Sequence, residues 1–214
     1  MKAFVITVKD IPESVKCAER CIESAANYGL EVEMFFGITP KDDPLKMLDD
    51  LGISKEKFTE KYSRIDNCVA AFLSHRSLWQ KCADINEDVL IFEHDAVVVA
   101  PIPVFKPYNR LISYGKPSYG NFRTPMKIGV NPLTSKAYLP GAHAYRLKPS
   151  AARILLEESK LYAAPTDIFL NGNHFPWIEE YYPWPVEADD SFTTIQKTEG
   201  CIAKHGYNNE YKII

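Results

Sequence analysis

Two carboxylates, Glu93 and Asp95, directly follow an unbroken apolar run at residues 89–92. Residues two apart in an extended segment point the same way, so these carboxylates are expected to converge while His94 faces elsewhere. Hard oxygen ligands suit Mg²⁺ or Mn²⁺ better than zinc, and an ion held there would neutralise charge developing on a departing diphosphate. Glu93 and Asp95 are therefore predicted metal ligands. The alternative is a solvated acidic strand end without a metal.

Other metal-binding residues are weaker candidates. The candidates for a third ligand are His143, His174 and His205. Each of them, taken singly, is expected not to be a ligand. Cys68, His75 and Cys82 share one helical stripe, which suggests zinc. A rise of about 1.5 Å per residue, however, separates the two cysteines by about 21 Å, too far for one ion.

The elements that position these residues follow an α/β pattern. The predicted strands lie at about residues 2–8, 31–36, 89–92 and 142–147. The predicted helices lie at about residues 14–28, 66–84 and 149–159. Ser14 is expected to cap the first helix, and Asp66 or Asn67 the second. The strand–helix–strand order at the start favours parallel strands, and the apolar run at 89–92 is typical of a central strand covered on both faces.

Two stretches break this regularity. Residues 39–62 combine prolines, a glycine and many charges, so short helical pieces in a solvated connection are expected there. Residues 101–141 contain seven prolines and several glycines. Long irregular segments are often lids or binding loops, and a loop-rich lid is predicted around 101–141.

Composition narrows the function classes. The chain has 25 Lys+Arg and 28 Asp+Glu, a formal net charge of −3, so no nucleic-acid partner is expected. No apolar run approaches the roughly 20 residues that cross a bilayer, and the first residues lack a signal-cleavage pattern. A cytoplasmic protein without a transmembrane segment is therefore expected. The five cysteines, an odd number without paired spacing, are expected to be reduced thiols.

Four motifs together resemble a known family. Residues 71–82 read AFLSHRSLWQKC and residues 89–95 read VLIFEHD; they are followed by GAHAY at 141–145, AARILL at 151–156 and PTD at 165–167. This series resembles glycosyltransferase family 25, whose pattern has a Leu-Ser-His helix, a strand ending in Glu-Asp-Asp, a Gly-Thr-x-Ala-Tyr strand followed by an Ala-x-x-Leu-Leu helix, and a Pro-x-Asp motif.

The resemblance implies a fold, a reaction and a set of site residues. The implied fold is a Rossmann-like glycosyltransferase-A domain spanning 1–214, with a mostly parallel central sheet flanked by helices. The implied reaction is inverting transfer of a hexose such as galactose from a UDP-sugar to a glycan or other hydroxyl acceptor, with Mn²⁺ or Mg²⁺ on Glu93 and Asp95. The implied donor-binding residues are Ser74, His75, Glu93, Asp95, Gly141 and His143. Asp167 is the expected general base, with Asp190 as second candidate.

Two departures from the family pattern keep other functions open. His94 replaces the middle Asp of the acidic motif, and the first strand leads into residues 8–12, VKDIP, with no arginine before Arg20. A degenerate, non-catalytic protein that binds nucleotide sugars or glycans is therefore one alternative. A metal-dependent phosphohydrolase or nucleotidyltransferase is another, although no Gly-rich phosphate loop is present. The sequence leaves the oligomeric state open.

Overall fold

The computed structural model describes residues 1–58, 64–140, 142–189, 192–196 and 212–213. The described helices are α1 (Pro12–Ala26), α2 (Pro44–Asp50), α3 (Ile65–Ile85), α4 (Pro149–Leu161) and α5 (Thr166–Phe169), with 3-10 turns at Pro40–Asp42 and Glu56–Phe58. The strands are β1 (Lys2–Thr7), β2 (Glu33–Phe36), β3 (Val89–Glu93), β4 (Ala96–Val98), β5 (Leu111–Ser113), β6 (Gly129–Pro132), β7 (Ala144–Leu147), β8 (Ile178–Tyr182), β9 (Val186–Ala188), β10 (Phe192–Thr193) and β11 (Lys212–Ile213).

A central seven-stranded sheet has the order β2-β1-β3-β7-β5-β8-β6. β2, β1, β3, β5 and β8 run in one direction, and β7 and β6 run in the opposite direction. β4 leaves this sheet and pairs with β9 in a small second sheet. The predicted α/β fold with a mostly parallel central sheet flanked by helices is confirmed.

Alternation along β3 divides the core into two halves. Val89 and Ile91 belong to the cluster that contains α3, α4 and α5, and Leu90 and Phe92 belong to the cluster that contains α1. All four side chains are fully buried. This two-sided burial explains the unbroken apolar run and confirms that β3 is a central strand.

Both predicted helix caps are wrong. α1 begins at Pro12 after Ile11, so Ser14 lies inside the first turn, where its side chain binds the backbone N–H of Val8 at 2.9 Å. α3 begins after Arg64, and neither helix has a side-chain cap. Proline suits the first turn of a helix because it has no N–H to satisfy, which moves the start of α1 ahead of Ser14.

The stretch 101–141 is less irregular than its composition predicts. It contributes β5, which is buried between β7 and β8, and β6 at the edge of the central sheet. These two strands are short, three and four residues long. Only the loops around these strands can therefore form the predicted lid.

The short helical pieces expected within residues 39–62 are observed as α2 and the two 3-10 turns. Within the described part of the chain, no helix is long and apolar enough to cross a membrane. The four cysteines there, at positions 17, 21, 68 and 82, are buried, and no disulfide joins any two of them.

Candidate functional site

The acidic motif lies where β3 ends. β3 stops at Glu93, and residues 94 and 95 form a turn before β4 begins at Ala96. The extended geometry expected for residues 93–95 is therefore wrong, and alternation along a strand does not govern the directions of these side chains. The three residues instead contact different elements.

Glu93 is the last member of a series of hydrogen bonds that begins in the core. The indole N–H of Trp79 donates to the Tyr145 hydroxyl at 2.8 Å, and this hydroxyl lies 2.8 Å from His75 Nδ1. His75 Nε2 lies 3.0 Å from Glu93 Oε1. Trp79, Tyr145 and His75 are at most 1% exposed. Among the predicted donor-site residues, His75 and Glu93 are thus in direct contact.

The His75–Glu93 contact is a hydrogen bond from a neutral imidazole to a carboxylate rather than an ion pair. Burial lowers the pKa of His75 to about 3, and the negative charge of Asp167 opposes this shift only in part. A neutral imidazole with Nε2–H can still donate to the Glu93 carboxylate. Asp167 lies on the same side of the sheet, since α5, which carries it, packs on α3 through the stack of Phe169 on Trp79.

His94 has a structural role in the loop that follows β1. Its Nδ1 lies 3.1 Å from Ser14 Oγ, and its ring stacks on Phe192 at a centroid distance of 5.3 Å. Ser14 also contacts Thr7 Oγ1 at 3.0 Å and accepts from Val8 N–H. The replacement of the family's middle Asp by His94 therefore connects the end of β3 to the end of β1 and the start of α1.

Asp95 lies on the α1 side of the sheet. Burial raises the pKa of Cys21 to about 12, and the Asp95 charge adds to that rise. The Asp95 carbonyl accepts from Asp189 N–H at 2.9 Å, and the Asp189 carboxylate pairs with Arg20 of α1. Asp95 and Glu93 are therefore anchored by different helices, α1 and α3.

Ser74, another predicted donor-site residue, supports the loop after β2. Its hydroxyl donates to Ala70 C=O at 2.7 Å and accepts from Ile38 N–H at 2.8 Å. Gly37 packs directly on it, and a Cβ at Gly37 would lie 2.8 Å from Ser74 Oγ. Ser74 thus acts in this structure through the backbone of residues 37–38.

His143 is buried beside Glu93. The Glu93 N–H donates to the His143 carbonyl at 3.1 Å, so the two residues are neighbours across β3 and the residue preceding β7. The ring of His143 covers Gly115 and lines a recess with Ser113, Pro140 and Glu180. His143 therefore lies in the predicted site region, where its ring lines the recess and packs over Gly115.

We expect Gly115→Ala to destabilise the protein by about 1–3 kcal/mol, the range for overpacking. The added Cβ would lie 2.6 Å from His143 Nε2, and His143 is only 1% exposed, so the ring cannot move into solvent. Gly172→Ala is the matched control, because its Cβ would meet no atom closer than 3.7 Å. Urea unfolding measures both, and equal midpoints for the two variants would contradict the expectation.

Glu180 is a site-region residue that the sequence analysis missed. It is 1% exposed, and its Oε1 accepts from the N–H groups of Thr134 and Ser135, each at 2.7 Å. The carboxylate therefore orders the loop after β6. Alternation within β8 was the available signal, but the neighbouring prolines and aromatics concealed that strand.

Asp167 lies in the first turn of α5 and is partly exposed. Its Oδ2 accepts from the Tyr119 hydroxyl, and its Oδ1 accepts from Ile168 N–H at 3.0 Å. The N-cap position is Pro165, which makes no side-chain cap, so Asp167 is not the cap of this helix. Tyr119, which comes from the proline-rich stretch, was not predicted to lie here.

A small aromatic cluster surrounds this contact. Tyr119 and Tyr138 lie 6.3 Å apart, and the Lys136 ammonium lies over both rings at 5.1 and 5.2 Å. A cation over aromatic faces is attracted to them electrostatically. The cluster therefore stabilises the loop segment that reaches Asp167.

One predicted site residue lies elsewhere in the fold, and three others lie outside the described residues. His174 contacts Glu158 at 3.0 Å and packs against Phe175 and Tyr162, on the α4 side. Gly141, Asp190 and His205 lie outside the described residues. Their predicted roles stay predictions.

The donor set can be tested against the implied metal. Within the described ranges, no group of three or more His, Cys, Asp or Glu side chains could hold an ion. Mg²⁺ in phosphate-transfer sites is typically bound by one or two carboxylates, with water and substrate phosphates completing its shell. Glu93, with a side chain 31% exposed at the end of β3, fits that mode as a single hard oxygen donor. Asp95, on the α1 side of the sheet, stays a predicted second ligand.

Comparison with known proteins finds a family match for the N-terminal part of the chain. Residues 1–102 match the family model of glycosyltransferase family 25 (LPS biosynthesis protein), and this range contains Ser74, His75, Glu93 and Asp95. No curated protein sequence matches the chain. Among solved structures, it is similar to CTP:phosphocholine cytidylyltransferase (LicC) from Streptococcus pneumoniae, with 11% identity and a TM-score of 0.42 over 88% of this chain and 92% of that chain. This structural likeness carries no functional argument. The family match over residues 1–102 supports the resemblance to glycosyltransferase family 25 that the motifs indicated, and with it a glycosyltransferase activity.

Proposed function

We propose that the protein is a glycosyltransferase that moves a hexose from a UDP-sugar to a hydroxyl group of a glycan-type acceptor, with inversion and with the help of Mn²⁺ or Mg²⁺. The observation that carries the proposal is the Glu93 carboxylate, which is partly exposed at the end of β3 and held there by buried His75. Ligands of open α/β sheets bind beyond the carboxyl ends of the parallel strands, and Glu93 lies at such an end.

The proposed roles of the three carboxylates follow from their surroundings. Glu93 and Asp95 would hold the metal ion, which when bound would neutralise the charge developing on the UDP leaving group. Asp167 would accept the proton of the acceptor hydroxyl. The acceptor oxygen would then form its bond to the anomeric carbon on the face opposite the diphosphate, as the bond to UDP breaks. The effect of the Asp167 charge on His75 supports a site shared by Glu93 and Asp167.

Glu93→Gln tests this assignment. We expect UDP to bind the parent more tightly when Mn²⁺ is present, because the ion and the diphosphate neutralise each other. In Glu93→Gln we expect that enhancement to be largely lost, since the neutral amide is a poorer ligand than a carboxylate. Calorimetry of UDP with and without Mn²⁺ measures the coupling in both proteins.

The matched control is Glu87→Gln, which removes an exposed carboxylate at the opposite end of β3. It is expected to bind Mn²⁺ and UDP as the parent does. UDP binding by the parent that does not depend on any divalent ion would remove the metal from the proposal. A screen of GDP and CMP in the same assay tests the choice of nucleotide.

One contact favours a second candidate, a protein that binds nucleotide sugars without transferring them. The Tyr119 hydroxyl donates to Asp167 and thereby occupies an oxygen that an acceptor hydroxyl would need. If this contact persists with ligands bound, the base is blocked. Binding of UDP-sugars without transfer or donor hydrolysis over a panel of donors would favour this candidate.

A further inference from the structure

The donors and acceptors beneath Glu93 permit one tautomer of His75. The indole N–H of Trp79 can only donate, so the Tyr145 oxygen, 2.8 Å away, accepts from it. The hydrogen of the Tyr145 hydroxyl then needs an acceptor. His75 Nδ1, at 2.8 Å, is the group in reach of it among the described contacts of Tyr145. Nδ1 is therefore the unprotonated nitrogen of the ring.

The other ring nitrogen must then carry the hydrogen. His75 Nε2 faces Glu93 Oε1 at 3.0 Å and donates to it. Each donor in the series thus points in one direction, from Trp79 through Tyr145 and His75 to Glu93. Trp79 and Tyr145 are fully buried, so exchange of these partners with bulk water is not available to them.

We propose that Tyr145 is a positioning residue for the transfer reaction: it fixes His75 as the Nε2–H tautomer and so orients the Glu93 carboxylate toward the donor site. This inference rests on the proposed role of Glu93. With the opposite tautomer, a nitrogen lone pair would face the carboxylate oxygen at 3.0 Å. The two would repel, and Glu93 would turn away from its present position.

The hydrogen-bond series from Trp79 to Glu93 leads from the core to the surface, which distinguishes a positioning role of Tyr145 from core packing alone. Buried Trp and Tyr side chains need hydrogen-bond partners in any core. Here, however, the series ends on a side chain that is 31% exposed, whereas the His75 side chain is 2% exposed. Trp79 also stacks on Phe169 of α5 at 5.5 Å, so the same buried residue supports the helix that carries Asp167.

Nitrogen NMR measures the tautomer directly. In a ¹⁵N-labelled parent, long-range ¹H–¹⁵N spectra should show His75 with a protonated Nε2 and an unprotonated Nδ1. The signals are assigned by their loss in His75→Gln. Tyr145→Phe removes the hydrogen offered to Nδ1, and we expect the His75 signals to move toward a mixture of tautomers. A parent His75 that is Nδ1–H or doubly protonated overturns the proposal without any variant.

The effect of Tyr145→Phe on the donor site is measured as UDP affinity rather than as the rate of transfer. Changes to groups that orient a metal ligand typically cost about 10–100-fold in affinity or activity. We expect such a loss in Mn²⁺-dependent UDP affinity for Tyr145→Phe. Tyr114→Phe is the matched control, because Tyr114 is a 1% exposed phenol whose ring packs in the core on the α1 side of the sheet. It should leave both the His75 spectrum and UDP affinity unchanged.

The outcomes separate this inference from the proposed function. If Glu93→Gln abolishes the Mn²⁺ enhancement of UDP binding and Tyr145→Phe leaves it intact, Tyr145 is not a positioning residue. If the tautomer shifts in Tyr145→Phe but neither variant changes UDP binding, Glu93 is not at the donor site, and the proposed function and the inference both fail. Equal losses in Tyr145→Phe and Tyr114→Phe would assign the effect to general loosening of the core and overturn the inference.

Discussion

Asp167→Asn should lower the rate of glycosyl transfer by about 10²–10⁴-fold, the usual range for loss of a general base. The amide keeps the shape of the carboxylate and can still accept a hydrogen bond from Tyr119, but it cannot take a proton at neutral pH. UDP affinity and the unfolding midpoint should therefore stay close to those of the parent. Steady-state transfer kinetics and UDP calorimetry measure the two effects separately.

Asp84→Asn is the control for this substitution, since it neutralises an exposed aspartate near the end of α3. It should transfer at the parent rate. Near-parental transfer by a folded Asp167→Asn protein would exclude Asp167 as the base, and Asp190 would then be tested in the same way. A loss of UDP binding in Asp167→Asn would instead indicate a role in holding the donor.

Phe169→Ala should lower the free energy of unfolding by about 3–5 kcal/mol, the cost of truncating a buried phenylalanine. That is a large part of the about 5–15 kcal/mol that stabilises an ordinary domain. Phe169 is fully buried in α5, two residues after Asp167. Its ring contacts are with Phe72, Trp79, Tyr162 and Phe175.

The control is Phe105→Ala, because the Phe105 side chain is 98% exposed. Its free energy of unfolding should change by no more than about 0.5 kcal/mol. Urea unfolding followed by tryptophan fluorescence compares the two variants. A Phe169→Ala protein as stable as Phe105→Ala would show that α5 is not anchored through this ring cluster.

The parts of the fold that were predictable are those in which one physical signal dominates. The apolar run at 89–92 is buried on both faces as β3, helical spacing identified α1 and α3, and Pro149 indicated the start of α4. β5 and β8 were missed because their short strands lie among prolines and aromatics. Long-range pairing of β5 with β7 and of β8 with β5 gives these strands their regular structure.

The sequence predicted which residues lie at the site better than it predicted the directions of their side chains. Glu93, His75 and His143 do lie together, as the motif series implied. The turn at residues 94–95 was not predictable from a three-residue motif, and it redirects Asp95 toward α1. Tyr145 and Trp79 look like ordinary core aromatics in the sequence. Their hydrogen bonds become visible only when α3 is packed on β7.

The position of β7 has a consequence for synthesis of the chain. β7 follows β3 and β5 in the sequence but lies between them in the sheet, so it joins β2-β1-β3 to β5-β8-β6. A nascent chain that has not yet reached residue 147 leaves β3 with one edge unpaired along residues 89–92, where the side chains are wholly apolar. An unpaired apolar strand edge is a template for pairing with another chain. Four residues synthesised after both β3 and β5 therefore protect the edge of β3 from pairing with another chain.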